Sequence, residues 1–256
     1  GDFKNIATAI AQAYASFDSS GPSDVLTITV QPGSYSEHIL IEEKNKKFLE
    51  NIHIVAAEGG SVILKPSGKN PIFEIRRGQR IQIKGFQINA DKIPIAIDLH
   101  GSLEGVRIEN CTIQGFNEAG IRTHDLQAYS GDARLARFSQ LTLESANSQA
   151  TGVLLTSGKM STSVLHLHKL TCSGKMQSGI TINGPTDNVS ISECLFLGLP
   201  YGIEFAGESA KMFGFKIANN TFYQTKTPLH FEQMPGTIGT DMSVMRNLFL
   251  KAGSDP

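Results

Sequence analysis

The sequence predicts an all-β solenoid, a parallel β-helix of about 7–8 coils with one α-helix at its start. Three observations predict it. Four apolar residues recur at offsets 0, 2, 5 and 7 in successive blocks. The blocks start at Ile81, Val106, Ala136, Leu165, Val189 and Phe215, at spacings of 25, 30, 29, 24 and 26 residues. Between them recurs a short apolar segment, as in Pro94-Ile95, Gly120-Ile121, Gly152-Val153, Gly179-Ile180, Gly202-Ile203 and Pro228-Leu229.

Residues 3–16 read as the helix. Phe3, Ile6, Ala7, Ile10, Ala11 and Tyr14 follow i, i+3, i+4 spacing, and Asp2 is a candidate N-cap. The Gly/Ser/Asp-rich stretch that follows ends it, and Val25–Val30 opens the β body. Within each block, offsets 0 and 2 place two side chains on one face of a strand. The step from 2 to 5 breaks the period of two, so the chain must bend there to keep its apolar side inward. Asn110 and Asn219 stand at that bend, and Asn tolerates the left-handed backbone of a tight corner. Offsets 5 and 7 form a second strand, and the Gly-Ile or Pro-Ile segment closes the coil. A β-sandwich would show alternating strands without a bend at fixed offset. The whole chain, 1–256, therefore reads as one domain, with helix 3–16 over the open edge of the first coil and coils over 25–250. Its start at Gly1 without Met reads as a domain excised from a larger protein.

Composition narrows the function. With 23 Lys+Arg against 24 Asp+Glu and no dense basic run, nucleic acid is not an expected partner. No apolar stretch approaches the roughly 20 residues of a membrane helix, so membrane insertion is not expected. Cys111, Cys172 and Cys194 are too few for a disulfide framework, and Cys111 and Cys194 occupy inward offset-5 positions as packing residues.

The opening, Ile28-Thr29-Val30-Gln31-Pro32-Gly33-Ser34-Tyr35-Ser36-Glu37, and the later repeat Val106-Arg107-Ile108-Glu109-Asn110-Cys111-Thr112-Ile113 resemble the pectin lyase-like superfamily. They are similar in particular to pectinesterase starts and to NosD-type carbohydrate-binding and sugar-hydrolysis repeats. The resemblance covers about residues 3–250 and implies a right-handed β-helix with an extracytoplasmic or cell-surface location. It does not extend to catalytic strings. The pectinesterase Gln-Asp-Thr-Leu and Asp-Phe-Ile-Phe-Gly segments are missing, and where polygalacturonases carry paired aspartates this chain reads Glu118-Ala119-Gly120, Gln177-Ser178-Gly179 and Pro200-Tyr201-Gly202.

Alternation along the closing strands still assembles one polar patch. With Ile95, Ile97 and Leu99 inward, Asp98 and His100 face out; with Ile121 and Thr123 inward, Arg122 and His124 face out; Glu74 and Arg76 precede them. Tyr129, Asp132 and Arg134, in the insertion 125–135, are placed to wall a groove beside the patch. The expected ligand-binding set is Glu74, Arg76, Asp98, His100, Arg122, His124 and Tyr129. If the protein is an enzyme, His124, Asp98 and Arg122 are the catalytic candidates, with a histidine or an arginine as base and an arginine neutralising a uronate carboxylate. Asp98, His100, His124 and Asp125 include metal-ligand types, but Asp125 follows His124 directly and should face elsewhere, so neither a metal nor a cofactor is expected. His166 and His168 share an outward face without a completing group. Thr181, Asn183, Glu204, His230 and Glu232 face out on later coils, where they can meet sugar hydroxyls. Tyr129 and Tyr201 are the exposed aromatic candidates.

The reading that follows is a non-catalytic carbohydrate-recognition module for a poly- or oligosaccharide, appended to other domains of a larger bacterial protein such as a signalling kinase. A lyase or hydrolase acting on an acidic glycan and a structural or protein-interaction rod are the alternatives.

Overall fold

The computed structural model describes residues 3–16, 25–42, 51–76, 78–127, 136–157, 162–207, 212–232 and 242–251. These residues form a parallel β-helix of about seven turns with one short helix at its start. Their strands fall into two parallel ladders. One has nine strands, from Gly33–Ser36 to Leu248–Leu250; the other has nineteen and wraps the remaining sides of each coil.

The repeat offsets explain the stacking directly. An inward column runs in register from Ile28 through Ile54, Ile83, Ile108, Phe138 and Leu167 to Ile191, Ile217 and Val244. A second runs from Tyr35 through Ile88, Leu143 and Phe196 to Phe249. Every residue that the offsets place inward from Ile81 to Phe222 is buried, and together they form one continuous apolar core. Asn220 takes an otherwise apolar slot because its amide is satisfied there. Its Oδ1 accepts from Cys194 N at 2.9 Å, and its Nδ2 donates to Ile191 O at 3.0 Å.

The bend lies where the offsets require it. A left-handed residue occupies offset 4 of each block: Gly85, Asn110, Gln140, Lys169, Glu193 and Asn219, with Arg246 continuing the series. Only some of these are residue types that favour the conformation. The others hold it because the corner N–H stays in the axial ladder, as where Gln140 N donates to His168 O at 3.0 Å and Lys169 N to Ser192 O at 3.1 Å. On the closing strands, Gly179 and Gly202 let core rings reach the backbone. A Cβ on Gly179 would stand 2.4 Å from Phe196 Cδ1, and one on Gly202 would stand 2.5 Å from Phe222 Cδ1.

The helix, α1, covers Ile6–Ser16 rather than starting at residue 3. Asp2 lies outside the described residues. The cap comes from Asn5, whose Oδ1 accepts from Thr8 N at 2.8 Å, and from distant Glu37, whose carboxylate accepts from Ile6 N at 2.9 Å and Ala7 N at 3.0 Å. Helix α1 packs on the strands Leu26–Val30 and Ile39–Ile41. A groove of about 610 Å³ remains beside it, lined in part by Phe3, Ile6, Ala9, Ile28 and Tyr35. Among the described residues nothing comparable covers the coil at 243–250: Val244 and Phe249 are 46% and 48% exposed, although Ile217 and Phe222 beneath them are buried.

Candidate functional site

The closing strands place one outward residue per coil in a single column. It runs Leu40, Glu74, Asp98, Arg122, Leu154, Thr181, Glu204, His230. From Glu74 to His230 there are six strand steps of about 4.8 Å, so the row is about 29 Å long. The alternation that predicts Glu74, Asp98, Arg122, Thr181, Glu204 and His230 as outward is therefore what the backbone does. Half-buried Leu154 divides the row into two parts of different chemistry.

The first part is ion-paired. Asp98, only 4% exposed, accepts two hydrogen bonds from Arg122: from Nε at 3.0 Å to Oδ1 and from Nη2 at 2.6 Å to Oδ2. Arg122 also reaches Glu118 Oε1 at 3.4 Å. The hydrogen bond to Asp98, set against partial burial, raises the Arg122 pKa above its ordinary value. One coil earlier, Arg76 donates to Glu74 Oε1 at 2.8 Å and lies 3.5 Å from Glu42 Oε2, while His38 Nε2 meets Glu74 Oε2 at 3.0 Å. His38, Glu42 and Glu118 join the predicted set. His38 and Glu42 flank the strand Ile39–Ile41, which precedes the regular blocks and so lies outside the repeat that reveals the later residues.

His100 and His124 sit side by side, ring centroids 6.2 Å apart, as the register His100↔His124 requires. Buried His100 Nε2 lies 2.9 Å from Asp98 Oδ2 but outside hydrogen-bonding geometry, and has no hydrogen-bond partner among the described residues. The half-exposed His124 ring puts Nδ1 3.1 Å from Thr156 Oγ1. That hydroxyl spends its proton on Thr123 O at 2.6 Å, so Nδ1 is the protonated nitrogen of neutral His124 and Nε2 carries the lone pair.

Asp125 does not face away as simple alternation requires. It is left-handed, at φ 51°, where the register between neighbouring strands shifts, and the bulge returns its Oδ2 to 3.7 Å from His124 Nε2. Even so, no group of three His, Cys, Asp or Glu side chains among the described residues is disposed to hold a metal ion. Tyr129, Asp132 and Arg134 lie outside the described residues.

The second part of the row is built on hydroxyls. Ser178 and Thr151 are buried, and Thr181 is 9% exposed. Ser178 Oγ stands 2.5 Å from Thr181 Oγ1 and 2.9 Å from Thr151 Oγ1, and Thr181 Oγ1 donates to Glu204 Oε2 at 3.1 Å. Residues three apart on one strand thus touch, a contact that strict alternation does not provide. One coil further, the half-buried rings of Tyr201 and His230 stack at 4.1 Å with planes 6° apart. Sequence reasoning places Thr181, Glu204, His230 and Tyr201 outward but misses Thr151 and Ser178, which stand just before the Gly-aliphatic pair and look like turn residues. The recurring hydroxyl at that position was the available signal. Asn183 and Thr156 are register neighbours in the adjacent outward column. His168 meets Ser192 Oγ at 3.2 Å on a different side of the coil, apart from this site.

No protein-family model matches the chain, and no curated protein matches it. Among solved structures, it is similar to ORF18 of Geobacillus virus E2, with a TM-score of 0.44 and 14% identity over 95% of this chain and 57% of that one. It is also similar to the A-module of the mannuronan C-5 epimerase AlgE4 from Azotobacter vinelandii, with a TM-score of 0.43 and 11% identity over 97% of this chain and 90% of that one.

Proposed function

We propose that this chain is a carbohydrate-recognition β-helix module of the pectin lyase-like kind, which holds an oligosaccharide lengthwise along the closing-strand row without cleaving it. The observation that carries this reading is the row itself. Hydrogen-bonding side chains recur at the coil spacing over about 29 Å, interrupted only at Leu154, a pitch close to that of successive sugar units in an extended chain. The ion pairs of Asp98 and Glu74 hold Arg122 and Arg76 in place, which favours a preorganised surface over mobile catalytic groups. The test is a glycan array with the purified chain, run beside a degradation assay on polyuronates. Retention of a glycan without turnover is the expected result.

One observation favours a second reading, a lyase or hydrolase acting on an acidic glycan. The Thr156 contact assigns the lone pair to His124 Nε2, 3.7 Å from Asp125 Oδ2, where it can serve as a general base. Turnover by the wild type that His124→Ala abolishes while binding persists would establish that reading instead. A chain that neither binds nor cleaves any glycan would leave the interaction rod.

A further inference from the structure

We infer that the ligand is an uncharged glycan, anchored over the later coils by Tyr201 and by Glu204, which Thr181 positions, rather than over the arginine-bearing coils; this rests on the glycan-binding reading above. The arginines are the natural anchors for an acidic sugar, but the structure has already engaged them. Each guanidinium is shared between two carboxylates, Arg122 between Asp98 and Glu118, Arg76 between Glu74 and Glu42. A uronate approaching Arg122 would have to displace Asp98, which is 4% exposed and would be left buried without its cation. Among the described residues each cluster sets two carboxylates against one guanidinium, which disfavours the approach of a further anion.

The later coils offer what a neutral sugar uses. Tyr201 supplies a flat apolar face, and His230, stacked at 4.1 Å, covers one side of the ring and fixes its plane. The hydroxyls of Ser178 and Thr181 form a chain ending on Glu204 Oε2. With the Thr181 proton directed to that oxygen, the second oxygen of Glu204 remains the strong acceptor for a sugar hydroxyl. Lys226, just before the closing strand Thr227–Phe231, is outnumbered by Glu204 and Glu232. A stacking ring beside a polarised carboxylate, with carboxylates outnumbering cations among the described residues of these strands, selects hydroxyls over carboxylates.

The experiment is calorimetric titration of the whole chain with xylo-, cello- and manno-oligosaccharides and, separately, with oligogalacturonate and oligomannuronate, each at low and high salt. The expected result is binding of a neutral oligosaccharide with little salt dependence, weakened at least about tenfold by Tyr201→Ala and by Glu204→Gln but not by Tyr201→Phe. Circular dichroism of each variant checks that the coil is intact. Binding of the uronates alone, falling with salt, would overturn this inference and leave the glycan reading standing. Neutral binding unchanged in both Tyr201→Ala and Glu204→Gln would overturn the placement. Wild-type chain that binds no glycan would overturn the glycan reading itself.

Discussion

Asp98 shows how one buried carboxylate sets the behaviour of its neighbours. Its two bonds to Arg122 make that arginine a structural partner, so Arg122→Ala strands a buried charge. The expected cost is about 2 kcal/mol, below the range for fully buried pairs because Arg122 keeps some exposure. Arg122→Lys recovers only part of it, since one ammonium cannot replace a two-pronged contact; urea denaturation midpoints of the two variants check this. The cysteines are the apolar counterpart. Burial pushes the Cys111 thiol up to about 11 and Cys194 up to about 12, and lifts Cys172 well above its ordinary value. All three should resist iodoacetamide in the native protein at about pH 8 and react at once in denaturant, as mass spectrometry would show. His53 gives a pH signature. Burial first, and repulsion from Arg107 second, lower its pKa below 6.5, with Glu109 opposing. The unfolded chain then binds the proton more readily, so stability falls as pH drops through about 6.5 and levels off below the folded value. His53→Gln should flatten that slope in denaturation midpoints measured against pH. Residue-scale detail was also where the sequence was least legible. Asp125 faced the site because a bulge reset the alternation, and buried Ser178 joined the hydroxyl cluster of Thr151 and Thr181; neither follows from a period of two.

At the scale of elements, legibility improved because inward positions answer to a repeated constraint. The offsets placed Ile81, Cys111, Leu143 and Phe222 inward, and packing left them no alternative. The corners were only half legible. Asn110 and Asn219 announce a left-handed backbone, whereas Gln140, Lys169 and Glu193 adopt it because stacking on the neighbouring corner outweighs a local cost of about 1–2 kcal/mol. The helix start was misplaced for a similar reason, since the carboxylate at its N-terminus comes from Glu37, thirty-one residues beyond Ile6. The closing strands depend on their glycines. Gly179→Ala brings a methyl to 2.4 Å from Phe196 Cδ1, and the ring is itself stacked on Phe222 at 4.9 Å with little room to yield. We expect a loss of about 1–3 kcal/mol, read as a lowered thermal midpoint with retained β-type circular dichroism. Phe196→Leu in the same background should recover part of it by vacating the contested space.

For the whole molecule, the hydrogen bonds between coils run along one axis, and each coil pairs with the one before it and the one after. Their register partners are 23 to 36 residues apart in sequence, as in Thr181 with Glu204 and Gln127 with Ser163. Stability is then a sum over nearest-neighbour junctions, and an opening in mid-rod breaks two junctions where an opening at the last coil breaks one. Hydrogen-exchange mass spectrometry should show protection rising from 243–250, through 216–223, to a plateau over the central coils. The ladder therefore makes position along the axis a variable in its own right. The same overcrowded glycine would act as a fray if placed in the last coils and as a boundary between two separately melting segments if placed at Gly152. A defect there would split one cooperative transition into two, so the rod records in its melting profile where it was damaged as well as how badly.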